Sequence, residues 1–382
     1  MNNQNFVSSS FIRRINRFVI ECQIMDKVVL AYLPNPGRLW ELLQKNREVF
    51  LLKKKDLQKF EYHAVAVKLN KHYVLLDTHY NNAFTKDLIK KNHIDFLNGY
   101  TIEKEEFSAG NSRFDFLLTR EQEKLILEVK SCTLFYNNLA MFPDAPSERA
   151  KKHVEELAKL NEHGIKGAIL FVVYSPFVSF FLPEFNVDIE FAESLYKNRN
   201  NIIIKAVGIR NFMMSKKSIV VRNLNIPWDT LKSKLVNSGS YLLIIYINEN
   251  KVISIGHLGY IHFEVGYYIY VGSAMINLNQ RINRHKRKNK KLFWHIDYLL
   301  KEAKLLHALP IRSEIDLECT IARDIKNISD RQVIGFGSSD CNCDSHLFKF
   351  DTNPIYKKNF IDLLLRYRMG LISNKLNNGF EL

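Results

Sequence analysis

Ser112-Arg113-Phe114-Asp115-Phe116-Leu117-Leu118, followed by Leu125-Ile126-Leu127-Glu128-Val129-Lys130, is the stretch whose reading decides the fold. Aromatic and β-branched residues crowd around the acids, which predicts two strands. The segment between them, Thr119-Arg120-Glu121-Gln122-Glu123-Lys124, is short and polar, as in a hairpin. Side chains alternate faces along a strand, so Glu128 and Lys130 share one face and Val129 takes the other. Asp115, on the neighbouring run, can face the same way. Two carboxylates and an ammonium then stand on one side of a sheet. Oxygen donors of this kind hold a divalent cation. Such a cation polarises a phosphoryl oxygen and lowers the pKa of a bound water. A lysine beside it orients that water or counters the developing charge. The alternative is a solvated strand face, on which Glu-x-Lys is common. Acids inside otherwise apolar runs argue against that alternative, because burying a charge needs compensation.

Outward from the hairpin, Asp144-Ala145-Pro146-Ser147-Glu148-Arg149-Ala150 opens a helix over 147–161. Ala150, Val154, Leu157 and Ala158 recur at helical spacing, Ser147 or Asp144 can cap it, and Arg149, Lys152 and His153 lie near its start. Near-continuous apolar runs at 168–174, 202–209 and 218–222 predict strands buried on both faces. A helix is expected at 86–92. Before it, short strands at 18–24, 28–33, 49–52, 62–69 and 73–77 predict an OB-like barrel. Leu33-Pro34-Asn35-Pro36-Gly37 forces a tight turn, with Arg38 and Trp40 after it on a short helix ending near Leu43. Arg38 and Trp40 can grip a phosphate and stack a base, or Trp40 can be core.

The chain has 382 residues, 46% of them apolar, enough for two or three domains. Its net charge of +15 points to a polyanionic partner, and nucleic acid is the one expected. Cys22, Cys132, Cys319, Cys341 and Cys343 are spread without a disulfide framework, which fits a reducing cytoplasm. The first residues, Met1-Asn2-Asn3-Gln4-Asn5, lack a charged-then-apolar signal pattern, and no window reaches the length of a membrane span. Nothing in the sequence specifies an oligomeric state.

An Asp, a gap, then Glu-x-Lys within a strand is the pattern of the PD-(D/E)xK nuclease superfamily. Together with Leu33-Pro34-Asn35-Pro36-Gly37-Arg38, Arg113-Phe114-Asp115-Phe116, Leu127-Glu128-Val129-Lys130-Ser131-Cys132-Thr133 and Phe142-Pro143-Asp144-Ala145-Pro146-Ser147-Glu148-Arg149-Ala150, it resembles the sugar fermentation stimulation protein family, SfsA, over about residues 1–236. The resemblance implies DNA binding, an OB-like N-terminal part and a PD-(D/E)xK nuclease-like second part. It implies Asp115 and Glu128 as the metal-binding acids, for Mg²⁺ or Mn²⁺, with Lys130 as their partner.

From Gly239 on the chain reads as a separate unit, with Asn237-Ser238-Gly239-Ser240 as linker. A strand is expected at 241–247, paired with 251–255, and another at Gly266-Tyr267-Tyr268-Ile269-Tyr270-Val271-Gly272. A basic helix follows over 278–291, with Arg281, Arg284, His285, Lys286, Arg287, Lys288, Lys290 and Lys291. Its use is phosphate-backbone contact, against the alternative of a solvated face. A last helix is expected at 360–371, before a polar tail. Cys341, Cys343 and His346, with or without Cys319, can be read as zinc ligands, but Cys-x-Cys is tighter than structural zinc spacing, so no zinc is expected and Ser338, Asp340 and His346 are expected to hold a loop.

Gly239-Ser240-Tyr241, Tyr270-Val271-Gly272, Phe293-Trp294-His295-Ile296-Asp297-Tyr298 and the run from Gly335 to Leu347 resemble a GIY-YIG nuclease-like domain. That resemblance implies that Tyr241 and Tyr270 line a site, Arg281 faces a phosphate and Glu318 holds a metal. The expected architecture is thus multidomain, α/β and α+β. It comprises an OB-like β-barrel over 1–83, a PD-(D/E)xK nuclease-like α/β domain over 84–236 and a GIY-YIG-like α/β domain with tail over 237–382. Arg38, Trp40, Arg149 and the 284–288 cations are the expected nucleic-acid contacts, without strong sequence specificity. Three function classes remain: a metal-dependent nuclease, a non-catalytic DNA-binding protein on nuclease folds, and a metabolic enzyme acting on phosphorylated sugars.

Overall fold

The computed structural model describes residues 6–54, 59–213 and 218–378; residues 1–5, read above for a signal pattern, lie outside the described residues, as do the last four of the tail. The chain divides into two compact units, one running to Lys232 and resuming at Leu376, the other spanning Ser233–Lys375.

The first unit opens with β1 (Phe6–Asn16), β2 (Val19–Ile24), β3 (Lys27–Tyr32), β4 (Glu48–Lys53), β5 (Tyr62–Leu69) and β6 (His72–Leu75). They pair in the order β3-β2-β1-β4-β5-β6, and a parallel pairing of Ala31 with Tyr62 and Tyr32 with His63 joins β3 to β5. That pairing closes five strands into the expected barrel, around Phe11, Ile20, Cys22, Val49, Leu51 and Val65. The expected short helix after the Pro-Asn-Pro-Gly turn is absent: residues 37–43 form bends and turns. Leu39 sits at φ 55°, the left-handed region, which a right-handed helix excludes. Side chains hold this loop instead. Asn35 Oδ1 accepts from the Gly37 N–H at 2.9 Å, and the Arg14 guanidinium donates to the carbonyls of Gly37 and Arg38 at 2.6 and 2.7 Å.

Next comes α1 (Thr78–Lys90), far longer than the 86–92 expected. Its cap, Asp77, accepts from the His79 and Tyr80 N–H groups. Two consecutive asparagines, poor helix formers, hid the first turns, and tertiary burial of Asn81 and Thr85 overrides that propensity. The chain continues through β7 (Thr101–Ala109), β8 (Ser112–Arg120), β9 (Glu123–Cys132), β10 (Leu134–Tyr136), β11 (Leu139–Phe142), α2 (Glu148–Glu162), β12 (Lys166–Val173), β13 (Phe180–Pro183), α3 (Ile189–Lys197), β14 (Ile203–Arg210), β15 (Val220–Asn223) and α4 (Trp228–Lys232). A six-stranded sheet runs β15-β14-β12-β9-β8-β7, with β9, β12 and β14 parallel and crossed over by α2 and α3. Its alternate side chains enter two cores. Phe116, Leu118, Leu125, Leu127 and Val129 join the barrel residues, while Leu117, Ile126, Ile169 and Phe171 pack under Val154 and Leu157 of α2. That two-sided burial is why these strands read as continuous apolar runs.

The second unit contains β16 (Gly239–Ile247), β17 (Lys251–Ser254), β18 (Tyr260–Phe263), β19 (Gly266–Ala274), α5 (Leu278–Lys286), α6 (His295–Glu302), β20 (Lys304–Arg312), α7 (Glu318–Lys326), β21 (Arg331–Gln332), β22 (Leu347–Phe350) and α8 (Lys358–Leu365). An antiparallel sheet runs β20-β16-β19-β22-β21. Three expectations need correction. Gly239 and Ser240 are no linker: both are buried at the start of β16, Gly239 at φ +134°, where a β-carbon would strike the Ile311 carbonyl. The 251–254 strand pairs with β18 and not with β16, whose two edges are taken by β19 and β20. The basic helix stops at Lys286, and beyond it Lys290 turns back, its Nζ donating to the His285 carbonyl at 3.1 Å. Beyond α8 a π turn over Arg366–Gly370 interrupts the expected last helix, and helix resumes over Leu371–Asn378, in the stretch read as polar tail. Among the described residues no helix is long and apolar enough to cross a membrane.

Candidate functional site

The β8–β9 hairpin sets Phe116 opposite Leu127, which brings Asp115 beside Glu128 on one face. Both line a cleft of about 550 Å³ in the first unit, with Lys130, Asn82, Asp144 and Arg149. Glu128 is 3% exposed. Its Oε1 takes Lys130 Nζ at 2.5 Å and His153 Nδ1 at 2.7 Å. Its Oε2 is buried and has no hydrogen-bond partner among the described residues. Burial pushes the Glu128 carboxyl up, but Lys130 and His153 outweigh it and hold the group below the ordinary carboxylate range. Asp115 differs. Burial first, then the Glu128 charge, push it up to about 6, although its oxygens accept from Asn82 Nδ2 at 2.6 Å and the Val129 N–H at 2.7 Å. One acid is ionised and its neighbour titrates near neutrality, the divergence that two close carboxylates produce.

His153 and Asn82 were not among the expected site residues. His153 lies in the second turn of α2, buried, with Nε2 accepting from the exposed Arg149 Nε at 3.4 Å. The only local signal was the four-residue spacing of Arg149 and His153 on one helix face. Asn82 had none.

Arg38 and Trp40 pair with each other: the guanidinium lies 5.0 Å from the half-buried indole. Beside them Asp144, expected only as a possible cap, accepts from the Leu39 N–H at 3.1 Å, while Ser147 caps α2 through the Ala150 N–H at 3.2 Å. A β-carbon at Gly37 would overlap the Asp144 carboxylate, so this close approach requires glycine. Glu41 is pushed up to about 8 by burial and then by Asp144.

The second unit carries its own cleft of about 520 Å³, lined by Tyr241, Tyr270, Arg281, His295, Glu318 and Asp340 among others. Register places Tyr241 opposite Gly272 and Leu243 opposite Tyr270 on adjacent strands, so the two tyrosines meet with ring centroids 6.4 Å apart. Burial raises both phenol pKa values. Glu318, at the start of α7, takes His346 Nδ1 on Oε1 at 2.9 Å and Ser273 Oγ on Oε2 at 2.7 Å. Arg281 stacks on Trp294, 4.0 Å from its centroid. His257 and His295, also not expected, stand 3.4 Å apart at this cleft.

The basic segment is split by its surroundings. Arg284 faces inward, bidentate to Asp297 at 2.8 and 2.9 Å. His285 is 2% exposed, sits 2.9 Å from Tyr241 Oη, and is driven down to about 3 chiefly by burial. A buried neutral imidazole is no phosphate contact, which corrects the expectation for His285, and Arg284 is committed to its carboxylate. Lys286, Arg287 and Lys288 are exposed.

Three family models match the chain: SfsA N-terminal OB domain over residues 12–76, Sugar fermentation stimulation protein RE domain over 79–211, and Domain of unknown function DUF123 over 240–369. A sugar fermentation stimulation protein homolog of Methanothermobacter thermautotrophicus is 38% identical over 193 residues, which is 50% of this chain and 80% of that one. Its counterpart in Methanosphaera stadtmanae is 40% identical over 199 residues, 50% of this chain and 82% of that one. Among solved structures, Pyrococcus furiosus SfsA in complex with Ca²⁺ superposes with a TM-score of 0.55 at 30% identity, covering 59% of this chain and 97% of that one.

Proposed function

This chain belongs to the sugar fermentation stimulation protein family, and on that premise we propose that it binds DNA and that its first unit hydrolyses phosphodiester bonds with Mg²⁺ or Mn²⁺. The observation that carries this reading is the orphaned, buried Oε2 of Glu128 beside Asp115. An unpaired buried carboxylate oxygen is unfavourable unless a cation meets it. The donor set, carboxylate oxygens alone, fits a hard divalent ion, and the Ca²⁺ complex of the Pyrococcus furiosus relative supports the same class. Asp115 and Glu128 would hold the ion. When bound, it supplies Lewis-acid polarisation of the phosphoryl group and a more acidic water. Lys130, close against Glu128, would stabilise negative charge on the scissile phosphate. His153 and Asn82 fix the two acids' orientation. Arg149, Arg38 and Trp40 would bind the strand around the cleft. In the second unit, Tyr241, Tyr270, Arg281 and Glu318 form a candidate second phosphodiester site of GIY-YIG type.

The test is incubation of the full chain with plasmid and single-stranded DNA across Mg²⁺, Mn²⁺, Ca²⁺ and chelator. Strand cleavage with Mg²⁺ or Mn²⁺ is the expected result. Tight, salt-sensitive binding with no cleavage under any metal would instead establish a second reading, a non-catalytic DNA-binding protein. The donor already on each Asp115 oxygen, Asn82 Nδ2 on one and the Val129 N–H on the other, favours that one.

Asp115 makes the reading pH-dependent. Its folded pKa, about 6, lies above the unfolded value, so its protonation stabilises the metal-free fold. That contribution is complete below about pH 4 and is lost as pH rises through about 6. A proton and a cation compete for the same carboxylate. Calorimetric titration should therefore show Mn²⁺ binding at least about fivefold weaker at about pH 5 than at about pH 7.5. Equal affinities would remove Asp115 from the donor set.

The exposed cations give a further expectation. Replacing Lys286, Arg287 and Lys288 together by alanine should lower the slope of log affinity against log salt by about 2 to 3, about 0.9 for each lost phosphate contact. Filter binding across a salt series measures it, and an unchanged slope would place the DNA elsewhere.

A further inference from the structure

Cys319 is the second residue of α7, and Cys341, Cys343 and His346 belong to the loop entering β22. Their spacing argued against a common zinc site, yet the three Sγ atoms and a His346 ring nitrogen all lie within 4.8 Å of one another. All three thiols are free and half-buried, and His346 is buried. We propose that these four side chains bind a structural Zn²⁺.

Zinc takes thiolates at about 2.3 Å and imidazole nitrogen at about 2.0 Å in a tetrahedron, so its ligand atoms stand roughly 3.5–3.8 Å apart. The Cys341 Sγ to His346 Nε2 separation, 3.5 Å, already matches such an edge. Three soft sulfurs and one imidazole select a d¹⁰ thiophilic ion over Mg²⁺ or Ca²⁺. The imidazole orientation is the second, independent argument. His346 turns Nε2 to the sulfurs and donates from Nδ1 to Glu318 Oε1 at 2.9 Å. A ligating histidine whose other nitrogen is held by a carboxylate is the usual outer support of zinc sites, fixing tautomer and ring direction. Here the carboxylate also lines the second unit's cleft, as do Gly337, Ser339 and Asp340 of the same loop. The ion would tie that loop to the start of α7 and hold Glu318 in place through His346. Three thiols this close, without a metal, would be prone to oxidise to a disulfide. The site goes beyond the proposed hydrolysis and does not depend on it.

The test is metal analysis of the full chain, purified without chelator and measured without DNA, so its outcome is separate from that of the cleavage assay. About one zinc per chain is expected. Cys341→Ser and Cys343→Ser should each lower the zinc content at least about tenfold, whereas Cys22→Ala, outside the cluster, should retain it. Should the serine variants fail to fold, cobalt substitution of the wild-type chain decides: intense thiolate-to-cobalt charge-transfer absorption with tetrahedral d–d bands is expected. A folded wild-type chain without stoichiometric zinc, iron in its place, a disulfide among the three cysteines, or zinc retained by both serine variants would overturn the proposal.

Discussion

Glu128→Ala should lower metal-dependent strand cleavage by the first unit at least about a thousandfold while DNA affinity changes less than about threefold. The substitution removes the unpaired Oε2, the atom best placed to meet a cation, together with the anchor of Lys130 and His153. Binding should survive because the exposed cations lie elsewhere. Loss of the carboxylate also leaves a buried ammonium without its partner, which destabilises by about 3–5 kcal/mol. Glu128→Gln keeps volume and one acceptor, and separates the two effects: it should abolish cleavage with a smaller stability change. If cleavage also arises from the second unit's site, Glu318→Ala alone isolates the first, and Glu128 variants are read on that background. Wild-type turnover in Glu128→Gln on the Glu318→Ala background would remove this hairpin from the reaction.

Asp297→Ala should destabilise the second unit by about 3–5 kcal/mol, read as a loss in the denaturant midpoint of that unit's transition. Asp297 is fully buried. It accepts from both Arg284 terminal nitrogens, from the Phe293 and Trp294 N–H groups at 3.1 Å each, and faces Lys290 Nζ at 3.4 Å. Burial alone would raise its pKa, but Arg284 and the backbone donors hold it below the ordinary range. A depressed folded pKa means this stabilisation is present above the unfolded value near 4 and is lost as pH falls through the lower folded one. Without Asp297, Arg284 and Lys290 repel across a desolvated gap and the Phe293 and Trp294 N–H groups lose their acceptor. Arg281 and Arg284 both stack on Trp294, so the cleft wall should loosen too. A change below about 1 kcal/mol would mean that water replaces the carboxylate.

Local pattern made the scaffold legible and left the partners hidden. The alternation in Arg113-Phe114-Asp115-Phe116 and Leu127-Glu128-Val129-Lys130 was enough to put two acids and a lysine on one face, because strand period is a property of neighbouring residues. The same holds for the Ser147 cap and for the apolar runs of β9, β12 and β14. By contrast, the cationic run at 284–288 looked uniform, yet Arg284 and His285 point inward while Lys286, Arg287 and Lys288 face water. Helical periodicity predicts a buried face only where the residues are apolar, and here the buried groups are polar ones with a carboxylate or phenol waiting for them.

From the amino-acid order alone came the barrel, the mixed sheet with its acidic hairpin, and the basic character of the chain, all consequences of period, propensity and charge. Only the tertiary structure decided that His153 and Asn82 orient the two acids, that β17 leaves β16 for β18, and that Cys319 meets Cys341, Cys343 and His346. These are contacts between residues far apart in the chain. Their cost and benefit depend on burial, and burial exists only once the elements have packed.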